Sequence, residues 1–197
     1  MQNFLKLVPF IKTYTYYQQI LIFHRYFVNL MEDIFKVGEK TMKDYQITVH
    51  NQEETFSMAQ TFSKFLKEGD IIALEGDLGA GKTTFTKGLA NGLGINKNIS
   101  SPTFTIIKEY KGIFPLYHMD VYRLKDSMED LGFDEYFHGD GITVIEWAHI
   151  IQDQLPEQFL TIEIKFVDLA TRQFLFMPVG SRYEQLCEEF FYEYFSN

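Results

Sequence analysis

The run Ile71-Ile-Ala-Leu-Glu-Gly-Asp-Leu-Gly-Ala-Gly-Lys-Thr83 decides the fold. From Gly76 to Thr83 it matches G-x-x-x-x-G-K-[ST] at every fixed position, the pattern of a backbone cradle for phosphate groups. Gly76, Gly79 and Gly81 allow dihedrals that a side chain forbids, so successive N–H groups can turn inward around an anion. The loop has to run straight into a helix, whose unpaired first-turn N–H groups and positive dipole end complete the site. Gly79, Ala80, Gly81, Lys82, Thr83 and Thr84 are therefore the candidate phosphate-binding residues. The Lys82 ammonium belongs on the β and γ phosphates, and the Thr83 hydroxyl on a Mg²⁺ that bridges them.

Outward from the loop, residues 71–74 read as a buried strand. Residues 84–93 read as a helix burying Phe85, Leu89 and Leu93 and stopped by Gly94. Upstream, residues 45–49 alternate like an edge strand, and Asn51 with Glu54 resembles a capping box. The helix they open has Phe56, Ala59, Phe62 and Leu66 at helical spacing and is expected to end at Gly69. Downstream, residues 105–110, 116–121 and 141–147 read as strands. Ser127 with Asp130 reads as the cap of a helix carrying Leu131, Phe133, Tyr136 and Phe137. Residues 159–167 and 172–177 alternate and pair as a hairpin. From Tyr183 an amphipathic helix places Leu186, Cys187, Phe190, Phe191, Tyr194 and Phe195 on one stripe, packed on the domain. The expectation is an α/β fold of the P-loop NTPase kind: a mostly parallel sheet flanked by helices, with a C-terminal β-hairpin and amphipathic helix.

Two apolar strands end in carboxylates, Asp120 and Glu146. At the carboxyl ends of such a sheet both face the phosphates, where a Mg²⁺ needs oxygen ligands and an attacking water needs orienting. The five histidines show no metal-ligand spacing; His118, beside the Asp120 strand end, reads as structural.

The chain has 197 residues and one cysteine, Cys187, which excludes an internal disulfide and fits a reducing cytoplasm. Net charge is −9, unevenly spread: residues 1–31 hold Lys6, Lys12 and Arg25 and no acid, leaving 15 basic and 27 acidic residues elsewhere. A domain so acidic is repelled by a polyphosphate backbone, so any RNA it serves is expected on a partner protein. Residues 1–41 are aromatic and apolar, yet they lack an uncharged run long enough to span a bilayer. They read as a dispensable extension, with a start at Met31 or Met42, ahead of a P-loop domain over residues 42–180 and a helix over 181–197.

In order, Gly76–Phe85, Ser101-Pro-Thr-Phe104, His118-Met-Asp-Val-Tyr-Arg123 and Glu146-Trp147 resemble the motifs of the bacterial TsaE (YjeE) family over about residues 45–178. These are ATPases required for N6-threonylcarbamoyladenosine at position 37 of tRNAs reading ANN codons. The resemblance implies that Lys82 and the loop amides hold ATP, that Thr83 and Glu146 ligate Mg²⁺, and that Thr103 lies in a segment sensing the γ-phosphate. It implies a Walker B part for Asp120, proximity of Arg172 to the nucleotide and of Thr55 to the adenine, and a positional role for Trp147. It further implies an accessory protein that acts with the TsaB–TsaD complex and meets tRNA only through it. The competing reading is a small-molecule P-loop kinase, but no arginine-bearing lid or acceptor-binding insertion is evident.

Overall fold

A computed structural model of the chain describes residues 45–126 and 131–196. The expectations for residues 1–41, and the cap at Ser127 and Asp130, lie outside the described residues. Seven strands form one sheet: β1 (Gln46–Val49), β2 (Ile71–Glu75), β3 (Ile107–Tyr110), β4 (Leu116–Asp120), β5 (Ile142–Glu146), β6 (Phe159–Phe166) and β7 (Arg172–Val179). Their order is β1-β7-β6-β2-β5-β4-β3. The middle four, β6, β2, β5 and β4, run parallel, whereas β1 and β7 at one edge and β3 at the other pair antiparallel. Parallel strands are covered on both faces, which is why residues 71–74 are all apolar and residues 142–145 are apolar but for Thr143.

The helices are α1 (Gln52–Phe62), α2 (Lys82–Gly92), the single turn α3 (Asp134–Phe137) and α4 (Ser181–Ser196). α1, α2 and α4 share one face of the sheet and a phenylalanine-rich core. There Phe190 packs on Phe62 at 5.0 Å and on Phe176 at 5.6 Å between ring centroids. The other face is thinner. It is covered by α3 and by 3-10 segments at Tyr122–Asp126 and Ala148–Gln154, which bury Met119, Phe133, Phe137 and Ile145.

Asn51 caps α1 by accepting from the Glu54 N–H at 2.8 Å, while the Glu54 carboxylate reaches back to the His50 N–H at 2.7 Å. Several expectations need correction. α1 stops at Phe62 and continues as a 3-10 turn, Ser63–Phe65, so Gly69 does not end it but sits in the turn before β2. Its inward residues are Thr55, Met58, Ala59 and Phe62, and Phe56 is only half-buried. The cause is the approach of α2: a Cβ on Gly88 would come within 2.3 Å of the Phe56 carbonyl oxygen. Backbone fills that contact, and the ring is left at its edge. β3 begins at Ile107 because residues 105 and 106 are used in a turn, with the Ile106 N–H donating to the Pro102 carbonyl at 2.7 Å. The helix expected around Phe133 is one turn long. In α4 the buried stripe stops short of Phe195, which is exposed and whose ring contacts Phe191 and Tyr194 of its own helix.

At the amino end of β2, Asp70 is buried and accepts two bonds from Arg182, Nε to Oδ1 at 3.0 Å and Nη2 to Oδ2 at 2.6 Å. The neighbouring Tyr183 hydroxyl accepts the Ile71 N–H at 2.8 Å, and burial pushes its phenol up to about 12. Cys187 sits on the buried face of α4, and burial pushes its thiol up to about 12 as well. Among the described residues no helix is long and apolar enough to cross a membrane.

Candidate functional site

The carboxyl ends of β2, β4 and β5 meet the start of α2. Strand alternation decides which side chains arrive there. Leu116, His118 and Asp120 fall on the α2 face of β4, and Ile142, Val144 and Glu146 on the same face of β5. Asp120 and Glu146 are register partners, so their buried carboxylates reach the strand ends side by side.

Gly76 leaves β2 at φ +135°, and a Cβ there would lie 2.5 Å from the Ile164 carbonyl oxygen; only glycine lets the loop pass β6. Gly81, at φ +115°, opens α2. Lys82 follows, 5% exposed, with its ammonium donating to the carbonyls of Gly76 at 2.6 Å and Asp77 at 3.0 Å. The Trp147 ring covers the same ammonium, 3.7 Å from Nζ to the ring centroid. Burial holds the Lys82 pKa below its ordinary 10.5, opposed by the nearby carboxylates of Glu146, Glu75, Asp120 and Asp77. Trp147 reaches this position from a left-handed backbone, φ +66°, pinned by its N–H on the Leu74 carbonyl at 3.0 Å. Two residues on, the His149 N–H and Nδ1 both meet the Glu75 carboxylate, at 2.7 and 2.6 Å.

Each acid has its own donors. The Thr83 hydroxyl donates to Glu146 Oε1 at 2.9 Å, and His118 Nε2 lies 2.9 Å from the same oxygen. Asp120 Oδ2 accepts from the Ser101 and Thr103 hydroxyls, the latter at 2.8 Å, and Oδ1 accepts the Tyr122 N–H at 3.2 Å. Among the described residues no group of three His, Cys, Asp or Glu is placed to hold a metal. Thr83 with Glu146 fits instead a Mg²⁺ that takes one hydroxyl and one carboxylate and completes its shell with phosphates and water.

A cavity of about 450 Å³ opens over this cluster, lined by Gly79, Ala80, Gly81, Lys82, Thr83, Thr84, Thr103, Asp120 and Glu146. Thr55 and Arg172 line an adjoining cavity of about 300 Å³ that shares Gly79, Ala80, Gly81 and Thr84. Residues 79–84, Thr103, Asp120, Glu146, Thr55 and Arg172 thus each border one or other of two spaces that share part of their lining. Thr55 is the least available of them, buried and donating its hydroxyl to the Asn51 carbonyl at 3.2 Å. Arg172 stacks on Phe166 at 4.0 Å and braces the loop by donating to the Ala80 carbonyl at 3.2 Å. Sequence reasoning passed over Ser101 and took His118 as structural. The signal was present for both: Ser101 lies two residues before Thr103, and His118 two before Asp120.

A family profile described as threonylcarbamoyl adenosine biosynthesis protein TsaE matches residues 49–174. The tRNA threonylcarbamoyladenosine biosynthesis protein TsaE of Bacillus subtilis is 58% identical over 149 residues, covering 75% of this chain and 94% of the relative. That of Treponema pallidum is 42% identical over 123 residues, 61% of this chain and 91% of the relative. A crystal structure of Bacillus subtilis YdiB superposes with a TM-score of 0.69 at 50% identity, covering 79% of this chain and 98% of that one. α4 lies beyond the residues that the profile matches. With the fold, the loop and both strand-end acids in place, the chain belongs to the TsaE family.

Proposed function

We propose that the chain is an ATP-binding and ATP-hydrolysing accessory protein for N6-threonylcarbamoyladenosine formation at position 37 of tRNAs reading ANN codons, acting with TsaB and TsaD. One observation carries this reading: the Thr83 hydroxyl and Glu146 carboxylate, 2.9 Å apart, stand beside a phosphate loop in a relative of TsaE.

The loop amides and the first turn of α2 bind the phosphate oxygens. Lys82 exchanges two carbonyl partners for anionic oxygens, a stronger charge-assisted contact. Thr83 and Glu146 would hold a Mg²⁺, which would supply positive charge where charge gathers on the transferring phosphoryl group. Asp120 orients the attacking water, and its own position is fixed by Ser101, Thr103 and the Tyr122 N–H. Water then bonds to the γ-phosphorus as the bond to the β–γ bridging oxygen breaks; ADP leaves on that oxygen, the γ group leaves as inorganic phosphate, and the water's proton is released to that phosphate or to solvent. The net charge of −9 supports delegation of tRNA binding to the partners.

The test is threonylcarbamoylation of tRNA under multiple turnover by cognate TsaB and TsaD supplied with threonylcarbamoyl-adenylate. Product beyond one equivalent only with this chain and ATP together is the expected result. No change on adding the chain overturns the reading and reopens the kinase alternative, to be screened with phosphate acceptors.

A further inference from the structure

His118 is wholly buried on the face of β4 that also carries Asp120. Nε2 lies 2.9 Å from Glu146 Oε1, and Nδ1 has no hydrogen-bonding partner among the described residues. The proton of a neutral imidazole therefore belongs on Nε2, where an acceptor stands. The other tautomer would bury an unanswered N–H and set two lone pairs against each other. Glu146 Oε1 also accepts the Thr83 hydroxyl, so both donors hold one oxygen and leave Oε2 to the cavity that Glu146 lines.

Of these donors only His118 is independent of the phosphate loop. Without it, a flexible carboxylate beside the equally buried Asp120 has one hydroxyl to hold it, and that hydroxyl is the group a cation claims. We infer that His118 is a positioning residue: a buried imidazole whose Nε2–H fixes Glu146 so that its other oxygen meets the Mg²⁺ of ATP. This rests on the function proposed above.

Two measurements test it. In the nucleotide-free protein, ¹⁵N-resolved imidazole spectra are expected to show a proton on Nε2 of His118; an Nε2 without a proton overturns the inference. ATP affinity is then measured with Mg²⁺ and in excess chelator for wild type, His118→Leu and His118→Gln. Loss of a partner that orients a metal ligand typically lowers affinity by about 10- to 100-fold. That loss is expected for His118→Leu with Mg²⁺ alone, and His118→Gln, whose amide can donate from a similar position, restores most of it. Equal weakening with and without Mg²⁺ marks a merely structural residue and overturns the inference, as does a His118→Leu protein matching wild type. Should His118→Leu fail to fold, His118→Asn, too short to reach Glu146, carries the same comparison. A wild type whose ATP affinity ignores Mg²⁺ overturns the proposed function along with the inference, whereas the other outcomes leave that function standing.

Discussion

The two ends of β2 each hold a buried charge, and the two are treated differently. At the amino end, Asp70 is matched by Arg182 through two hydrogen bonds, with the Lys67 N–H as a third. At the carboxyl end, Lys82 has no carboxylate within bonding distance among the described residues; its ammonium rests on two backbone carbonyls and an indole ring. A buried charge matched by its counter-charge is a finished structural element, even though Arg182 Nη1 is left without a hydrogen-bond partner among the described residues. One held by weaker partners in front of a cavity keeps its stronger interactions for something that enters. The difference separates scaffold from site without reference to any relative.

Substitutions at the two ends sharpen the contrast. Arg182→Ala leaves Asp70 buried and unpaired, a loss of about 3–5 kcal/mol in unfolding free energy by denaturant titration, while ATP affinity of the folded fraction stays unchanged. Lys82→Ala should do the reverse. It weakens ATP binding by about 2–5 kcal/mol in calorimetry and leaves the melting temperature the same or higher, because an ammonium that burial disfavours has been removed. If both substitutions chiefly unfold the protein, the division between the ends fails. Replacing the amino-end pair together, Asp70→Leu with Arg182→Met, should lose less stability than Arg182→Ala alone, since no charge is left unanswered. At the tip of the neighbouring α1, Asn51→Ala removes the cap and about 1 kcal/mol of stability by the same titration.

The last effect is one of pH. Tyr183 has its pKa raised from 10.0 to about 12, so the stability its protonated form provides is complete below pH 10 and is lost as pH climbs toward 12. Lys82 has its pKa lowered from 10.5, so the unfolded chain holds that proton longer and stability rises as pH approaches 10.5 from below. Denaturant melts across alkaline pH should show a smaller fall in Tyr183→Phe, where Cys187 still contributes one, and a smaller rise in Lys82→Ala.

What the sequence disclosed was local. The loop, its helix, the acid at the end of each apolar strand and the Asn51 cap all depend on neighbours within a few residues, where spacing carries the information. The failures lie where distant backbone decides. The outward turn of Phe56 depends on Gly88 pressing against α1 from 32 residues away. The partner of His118 is set by the register of β4 on β5, and that of Asp70 by α4 at the far end of the chain. Phe195 follows the same period as Phe191, yet it is left exposed where Phe191 is buried. Pattern tells which face a residue occupies; only the assembled sheet tells what that face meets.

The burial of Cys187 has a practical consequence. It is the single cysteine of the chain, and its thiol is both covered and held far from its reactive thiolate form. A cysteine introduced on the surface becomes the one site open to maleimide chemistry, with the native residue left in place. Leu169, 100% exposed on the rim of the smaller cavity, is such a position. A fluorophore there would report filling of the neighbouring cavity as a change in emission, with no background from the rest of the molecule.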